Sequence, residues 1–290
     1  MARFAIAGLQ LELTNQDNLY RINAEIHKVM ARFPWVQMVV VGELATLGPE
    51  PRHAQPLPSD IEAQYCSLAA QHGIWLVPGT LFERSGEDIF NTLPVINPAG
   101  EVVARYRKMF PFYPYEQGVS PGTEFVVFDV PDIGRMGVSI CYDGWFPETT
   151  RTLAWMGAEV IIHPTMTNTI DRDLELAIAR TNAAINQCYF VDINVAGRLG
   201  NGRSIVCGPE GNVIHEAGIG HEIIAFEADF GLVRRTRERG LMGLGQVLKS
   251  FRDSPVQFPP YREGHASPAL DALGELRVPA RGGPGPEVEP

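Results

Sequence analysis

The sequence predicts an α/β layered sandwich, and two observations carry that prediction. Strand-like segments alternate with helices and hairpins along most of the chain. Several of these segments carry apolar residues at successive positions ("MVVV", "VII", "YFV"), as strands covered on both faces do. At 290 residues and 45% hydrophobic content, the chain is long enough to bury a sizeable core, and one large domain over residues 1–253 is expected to hold it.

Taken in order, "RFAIAGLQLEL" reads as a strand, "NLYRINAEIHKVMARF" as an amphipathic helix and "VQMVVVGE" as a buried strand ending in Glu43, which makes a β-α-β opening. A proline-rich loop follows, and Ser59 or Asp60 then caps a helix running through Ala70. "IWLVPGTLFER" reads as one further strand, and "TLPVIN" and "VVARYRK", joined by the turn "PAGE", as a hairpin. "FVVFDV" and "RMGVSICY" make two strands around the turn "PDIG". Pro147 opens a helix through Trp155, "AEVIIHPT" is a buried strand, and residues 171–187 form a long helix before the strand "YFVDINVAG". A hairpin over 203–218 and the strand "EIIAFEADF" complete the domain. From about residue 254 the chain turns rich in proline and glycine and cannot form its own core. Residues 254–290 are expected as an extension, disordered in part or packed on a neighbouring subunit.

Composition excludes several classes of function. The formal charge of −10 leaves no basic footprint for nucleic acid and nothing to hold an anionic membrane, so small molecules are the expected partners. The N-terminus alternates apolar and polar residues without a signal-peptide h-region, and no apolar run approaches the roughly 20 residues of a membrane helix, so a cytoplasmic protein is expected. The four cysteines show no CxxC spacing and read as reduced thiols. The seven histidines include no HxH or HxxxH pair, and no phosphate loop of the GxxxxGK type occurs. No metal or cofactor is expected.

Three segments matter together. In "VVVGELATLG" Glu43 follows an apolar strand, in "ARYRKMFPFYPYEQG" Lys108 closes a strand and Glu116 follows across a loop, and in "GVSICYDGWFPE" Cys141 ends an apolar strand. Each has a bland reading on its own. Glu43 is more often a solvated strand end, Lys108 is unremarkable, and a lone cysteine is more often an inert core residue. Taken together the balance reverses, because the C-terminal strand ends of such a sheet converge on one face. A thiol, an ammonium and two carboxylates there can perform acyl transfer without histidine: a buried carboxylate takes the thiol proton, and the lysine with the backbone N–H of Tyr142 holds an oxyanion. His163 offers a rival Cys-His arrangement, although a histidine at a strand end is more often hydrogen-bonded and structural.

These motifs resemble the glutamate, lysine and cysteine motifs of the nitrilase superfamily of carbon-nitrogen hydrolases, and the resemblance runs from residue 4 to about residue 230. It implies a four-layer α-β-β-α sandwich, a Glu43, Lys108, Cys141 triad and Glu116 as a second glutamate that steers the substrate amide. One departure is Gly42, where the family usually has proline. Cys141-Tyr142-Asp143 looks like the amidase-side branches rather than the C-W-E of true nitrilases. Trp145 stands where branches acting on carboxylate-bearing amides commonly place arginine, and it offers an apolar wall or a cation-π face. Tyr113, Tyr142 and Trp145 are the candidate substrate-binding residues. Aliphatic amidases and formamidases are the most similar branches, which favours a small neutral amide. An N-carbamoyl amine is second and a nitrile a distant third. Relatives of this kind associate, so a homodimer or larger even-numbered assembly is expected, with part of 255–278 on a neighbouring subunit and 279–290 mobile.

Overall fold

Alternate residues of the central strands go to opposite sides, and this alternation builds the layers. The computed structural model describes residues 2–262, 264 and 266–278. In chain order the strands are β1 (Arg3–Gln10), β2 (Glu12–Leu13), β3 (Met38–Val41), β4 (Trp75–Val77), β5 (Leu81–Ser85), β6 (Asp88–Ile96), β7 (Val102–Arg107), β8 (Val127–Val130), β9 (Gly134–Val138), β10 (Val160–Thr165), β11 (Tyr189–Asn194), β12 (Ala196–Gly197), β13 (Ile205–Cys207), β14 (Val213–Glu216) and β15 (Glu222–Asp229). The helices are α1 (Leu19–Arg32), α2 (Asp60–His72), α3 (Pro147–Trp155), α4 (Arg172–Asn186), α5 (Phe230–Arg239), α6 (Val247–Asp253) and α7 (Pro268–Asp271).

One sheet has the order β15-β1-β3-β4-β6-β5, with β7 added on β6, and the other runs β14-β13-β11-β10-β9-β8. Met38 and Val40 of β3 face Val160 and Ile162 of β10 in the core between the sheets. Val39 and Val41 turn the other way, under Ile22 and Ile26 of α1 and Tyr65 of α2. Ile161 of β10 likewise lies under Leu153 of α3 and Leu176 and Ala179 of α4. The result is the four-layer α-β-β-α sandwich that the family resemblance implies. Most helix starts follow from local chemistry. Ser59 accepts the Glu62 N–H at the start of α2, Gly73 ends that helix in the left-handed region at φ 62°, and Pro147 opens α3.

The site depends on strand direction. β3 is parallel to β1 and β4, and β10 to β9 and β11. β7 is antiparallel to β6, which is antiparallel to β4, so β7 again runs with β3. The ends of β3, β7 and β9 therefore deliver Glu43, Lys108 and Cys141 from the same rim. Across the layers the rim is stitched by the Glu43 N–H, which donates to the Thr165 carbonyl of β10 at 3.2 Å.

Several elements differ from the sequence reading, and two of them have a clear local cause. Residues 74–84 form two strands, because Pro78 and Gly79 break the run: Gly79 has φ 82°, and a Cβ there would lie 2.0 Å from the Gly42 carbonyl oxygen. Gly42 is itself constrained, since a Cβ on it would stand 2.7 Å from Val195 Cγ1. This glycine therefore has a packing role against Val195, beyond simply ending the strand. Helix α5 went unassigned in the sequence. Asp229 caps it through the Leu232 N–H, and Phe230 and Val233 carry its apolar face into the core. Gly79→Ala is expected to lower the melting temperature by several degrees, because it adds both a strained φ and a backbone clash beside Glu43. A thermal melt that matches wild type would contradict that close approach.

The C-terminal segment partly folds back on its own chain. Phe251 meets Trp155 edge-on with centroids 5.7 Å apart, Phe258 stacks on Phe251 at 5.9 Å, and the Tyr261 hydroxyl donates to Glu148 at 2.9 Å. Leu153 is buried on its own sheet, whereas Leu270, Leu273 and Leu276 are exposed. Residues 279–290, expected to be mobile, lie outside the described residues. Among the described residues no helix is long and apolar enough to cross a membrane.

Candidate active site

Lys108 is the centre of the arrangement. Its ammonium, 2% exposed, donates to Glu43 Oε1 at 2.9 Å and to Glu116 Oε2 at 2.8 Å. Burial alone would push this lysine down, but Glu43, Cys141 and Glu116 together hold it well above its ordinary value. It therefore stays charged. Glu43 is equally buried and accepts two further hydrogen bonds, from Asn91 Nδ2 to Oε1 at 2.8 Å and from the Met166 N–H to Oε2 at 3.0 Å. Burial raises its carboxyl above the ordinary range, and Lys108 pulls in the opposite direction. A carboxyl raised in this way is better suited than an ordinary one to take and return a proton.

Cys141 lies at the first position of a tight helical turn over Cys141–Trp145 and has φ 45°, left-handed backbone for a residue with a Cβ. Burial, reinforced by Glu43, pushes its thiol well above the ordinary value, while Lys108 opposes that shift. The resting group is thus a protonated thiol that needs a base at the moment of reaction. Asp143 holds this turn in place. Fully buried, it accepts from the Ile140 N–H at 2.9 Å, the Phe110 N–H at 2.9 Å and the Tyr106 hydroxyl at 2.7 Å, so it ties the cysteine turn to the segment after Lys108. Its own carboxyl is pushed up to about 6 by burial.

Above Cys141 opens a cavity of about 510 Å³. Phe112, Tyr115, Tyr142 and Trp145 give it an aromatic lining, which residues 166–171 and Glu175 complete. Tyr142 and Trp145, two of the candidate substrate-binding residues, line this cavity. Tyr113 is a correction: its phenol turns away and donates to the Val119 carbonyl, and its neighbours Phe112 and Tyr115 line the cavity instead. The turn closed by the Tyr115 N–H on the Phe112 carbonyl at 2.9 Å brings residues three apart to one side, and the aromatic run "FYPY" does not by itself announce that turn. Glu175, which also went unnoticed, accepts from Thr167 Oγ1 at 3.0 Å and Arg172 Nη1 at 2.8 Å. Burial raises its carboxyl, and Arg172 opposes that shift. Arg172, buried, also pairs with both oxygens of Asp192 at 3.0 Å. Asn91, Asp143 and Glu175 were missed because polar residues inside apolar segments have no spacing of their own. The only sequence signal for Asp143 was an acid directly behind a strand-end cysteine.

His163 is buried, its Nδ1 lies 2.7 Å from Ser139 Oγ, and burial lowers it to about 4. It is neutral near pH 7. The other cysteines are free, and burial pushes the Cys188 and Cys207 thiols up to about 12.

A sandwich whose rim gathers a thiol, an ammonium and two carboxylates has the groups that acyl transfer needs. Residues 3–238 match the carbon-nitrogen hydrolase family model, and the chain belongs to that family. Within it, the chain is 30% identical over 204 residues to a formamidase of Bacillus cereus (strain Q1), an alignment that covers 65% of this chain and 60% of that relative. The chain thus spans less than two thirds of the length of the curated relatives it matches. Among solved structures, Saccharomyces cerevisiae Nit3, a member of branch 10 of the nitrilase superfamily, superposes with a TM-score of 0.75 at 30% identity, covering 82% of this chain and 94% of that one. An amidase from Nesterenkonia sp. AN1, at 22% identity, shares the fold with a TM-score of 0.72 over 81% of this chain and 94% of that one. That structure shows the acetamide moiety of fluoroacetamide added covalently to its active-site cysteine.

Proposed function

We propose that this chain is a cysteine-dependent amidase that hydrolyses small linear amides lacking a carboxylate to the acid and ammonia. The observation that carries the reading is the buried Glu43–Lys108–Glu116 ion cluster at the same rim as Cys141. Glu43 accepts the thiol proton as Cys141 sulfur attacks the amide carbon. Lys108 and the Tyr142 N–H stabilise the oxyanion that forms. Glu43 then returns the proton to the leaving nitrogen, ammonia departs, and a thioester remains. Water, deprotonated by Glu43, attacks the thioester, the acid leaves, and the proton passes back to the sulfur. Glu116 fixes Lys108 and orients the amide. Glu43, Lys108, Cys141 and Glu116 are the proposed catalytic residues, with Tyr142 and Trp145 binding substrate.

An N-carbamoyl amine is the second reading, supported by the roomy cavity and by tryptophan at position 145. An ammonia-release screen over formamide, acetamide, longer aliphatic and aromatic amides, carbamoyl amines and nitriles tests the proposal. Absence of ammonia from every amide and carbamoyl compound would refute it. In the rival arrangement His163 is the base, but its Nδ1 is engaged by Ser139 Oγ and burial lowers it to about 4, which makes it a weak proton acceptor. His163→Asn should retain Cys141 alkylation by iodoacetamide, and loss of alkylation in a folded variant would favour the rival.

The carbon-nitrogen hydrolase domain is proposed to span 1–253, working as a homodimer or larger even-numbered assembly. The half-exposed Trp155 on α3 and the exposed leucines at 270, 273 and 276 support an interface there. Sedimentation of the full chain and of a truncation at residue 253 should show an oligomer that the truncation weakens. A full-length monomer at micromolar concentration would refute the assembly.

A further inference from the structure

We infer that the cavity above Cys141 selects amides that carry a positively charged ammonium or guanidinium group away from the scissile bond. The inference rests on the amidase reading for its chemistry and departs from the sequence's preference for a neutral substrate.

Size comes first. About 510 Å³ is far more than a one-carbon amide fills, since a water molecule takes a ~30 Å³ share of the liquid. The room is for a second group on the substrate, and the lining states its chemistry. Phe112 lies 4.9 Å from Tyr115 and 4.9 Å from Tyr142 between ring centroids, and Tyr142 lies 6.1 Å from Trp145. Four rings so close to one another and on one cavity wall offer several π-faces, the surface that attracts an alkylammonium and leaves a carboxylate without a partner.

The charges agree. Among the described residues that line the cavity, none is lysine, arginine or histidine, whereas Asp171 and Glu175 both reach it. The two cations behind it are already engaged. Lys108 is held between Glu43 and Glu116, and Arg172 between Asp192 and Glu175. Two cations thus stand against five carboxylates once Asp171 is included, and the balance remains negative even with Glu43 protonated. Asp171 occupies the N-cap of α4, where its charge offsets the positive end of the helix that would otherwise favour an anion. A cleft with apolar walls focuses such a field and concentrates cations in it.

Binding separates this inference from the chemistry. The Cys141→Ala full-length protein is titrated with 4-aminobutanamide, with pentanamide, which replaces the ammonium by a methyl group, and with succinamate, in which a carboxylate stands in place of the terminal aminomethyl group. The ammonium compound is expected to bind at least about tenfold more tightly than pentanamide, succinamate not measurably, and the preference should shrink as salt is raised. Trp145→Leu and Asp171→Asn, each placed in the Cys141→Ala background, should each reduce the ratio between the first two compounds. Equal or tighter binding of pentanamide, any preference for succinamate, or a ratio unchanged in both variants overturns the inference. Wild-type hydrolysis of the amides without such preference sinks the inference and leaves the amidase reading standing. Discrimination by the alanine variant with no turnover in wild type does the reverse.

Discussion

Replacing Cys141 with alanine is expected to reduce ammonia release from any accepted amide below about 1% of wild type, since loss of a covalent nucleophile costs many orders of magnitude. The fold should survive. Cys141 is half-buried, the change removes one sulfur atom, and the turn that carries it is held by Asp143 through backbone contacts at Ile140 and Phe110 rather than by the thiol. A stability cost of about 1 kcal/mol or less is expected, readable as a small shift in a thermal melt. The contrast with the other cysteines sharpens the test. Cys66 is half-buried and remote from Lys108 in the fold, and Cys188 and Cys207 are fully buried under α3 and α4. Alanine at these three positions should leave turnover near wild type, and iodoacetamide should label Cys141 first. Turnover above about 1% in a well-folded Cys141→Ala protein would remove Cys141 as the nucleophile.

The reasons the sequence was readable lie in specific residues. β3 is apolar at every position and β10 over Val160–Ile162 because each is covered on both faces, and that pattern survives without any knowledge of neighbours. Strand direction was the second legible quantity. Glu43, Lys108 and Cys141 each follow the end of a strand by one to three residues, so a common rim brings them together with little dependence on the longer loops. What depended on loop course was not legible. Tyr113 and Tyr115 differ in sequence by two positions and a proline, and nothing local says that the former turns to the Val119 carbonyl while the latter faces the cavity. Glu175 sits on α4, whose helical pattern accounts for it as a solvated first-turn acid. Only the placement of Arg172 and Thr167 makes it a buried wall of the site. The segment from Phe251 to Tyr261 carries Phe251, Phe258 and Tyr261, yet a partner subunit and the chain's own α3 can supply the same apolar surface, so composition does not choose between them.

The two glutamates should separate when each is changed to glutamine. Glu43 accepts from three donors, Lys108, Asn91 and the Met166 N–H, shared over both of its oxygens. A glutamine there has one acceptor oxygen and an NH₂ that must face a donor, so the variant loses the base and also strains its hydrogen bonds. Cys141 alkylation is expected to slow by about 100-fold or more, the range typical of a lost general base, and amide turnover to fall at least as far. Glu116 is different. Its Oε2 accepts from Lys108 and the Phe112 N–H, and a glutamine oxygen can keep both contacts while the negative charge is lost. Alkylation by a reagent that needs no amide positioning should therefore stay within a few-fold of wild type. Hydrolysis should fall by about 10- to 100-fold as the amide loses its orienting carboxylate. Thermal melts on both variants guard against a merely unfolded explanation. If both folded variants lose thiol alkylation to the same extent, Glu43 is not the distinct base, and the two carboxylates must be treated as one proton-sharing unit around Lys108.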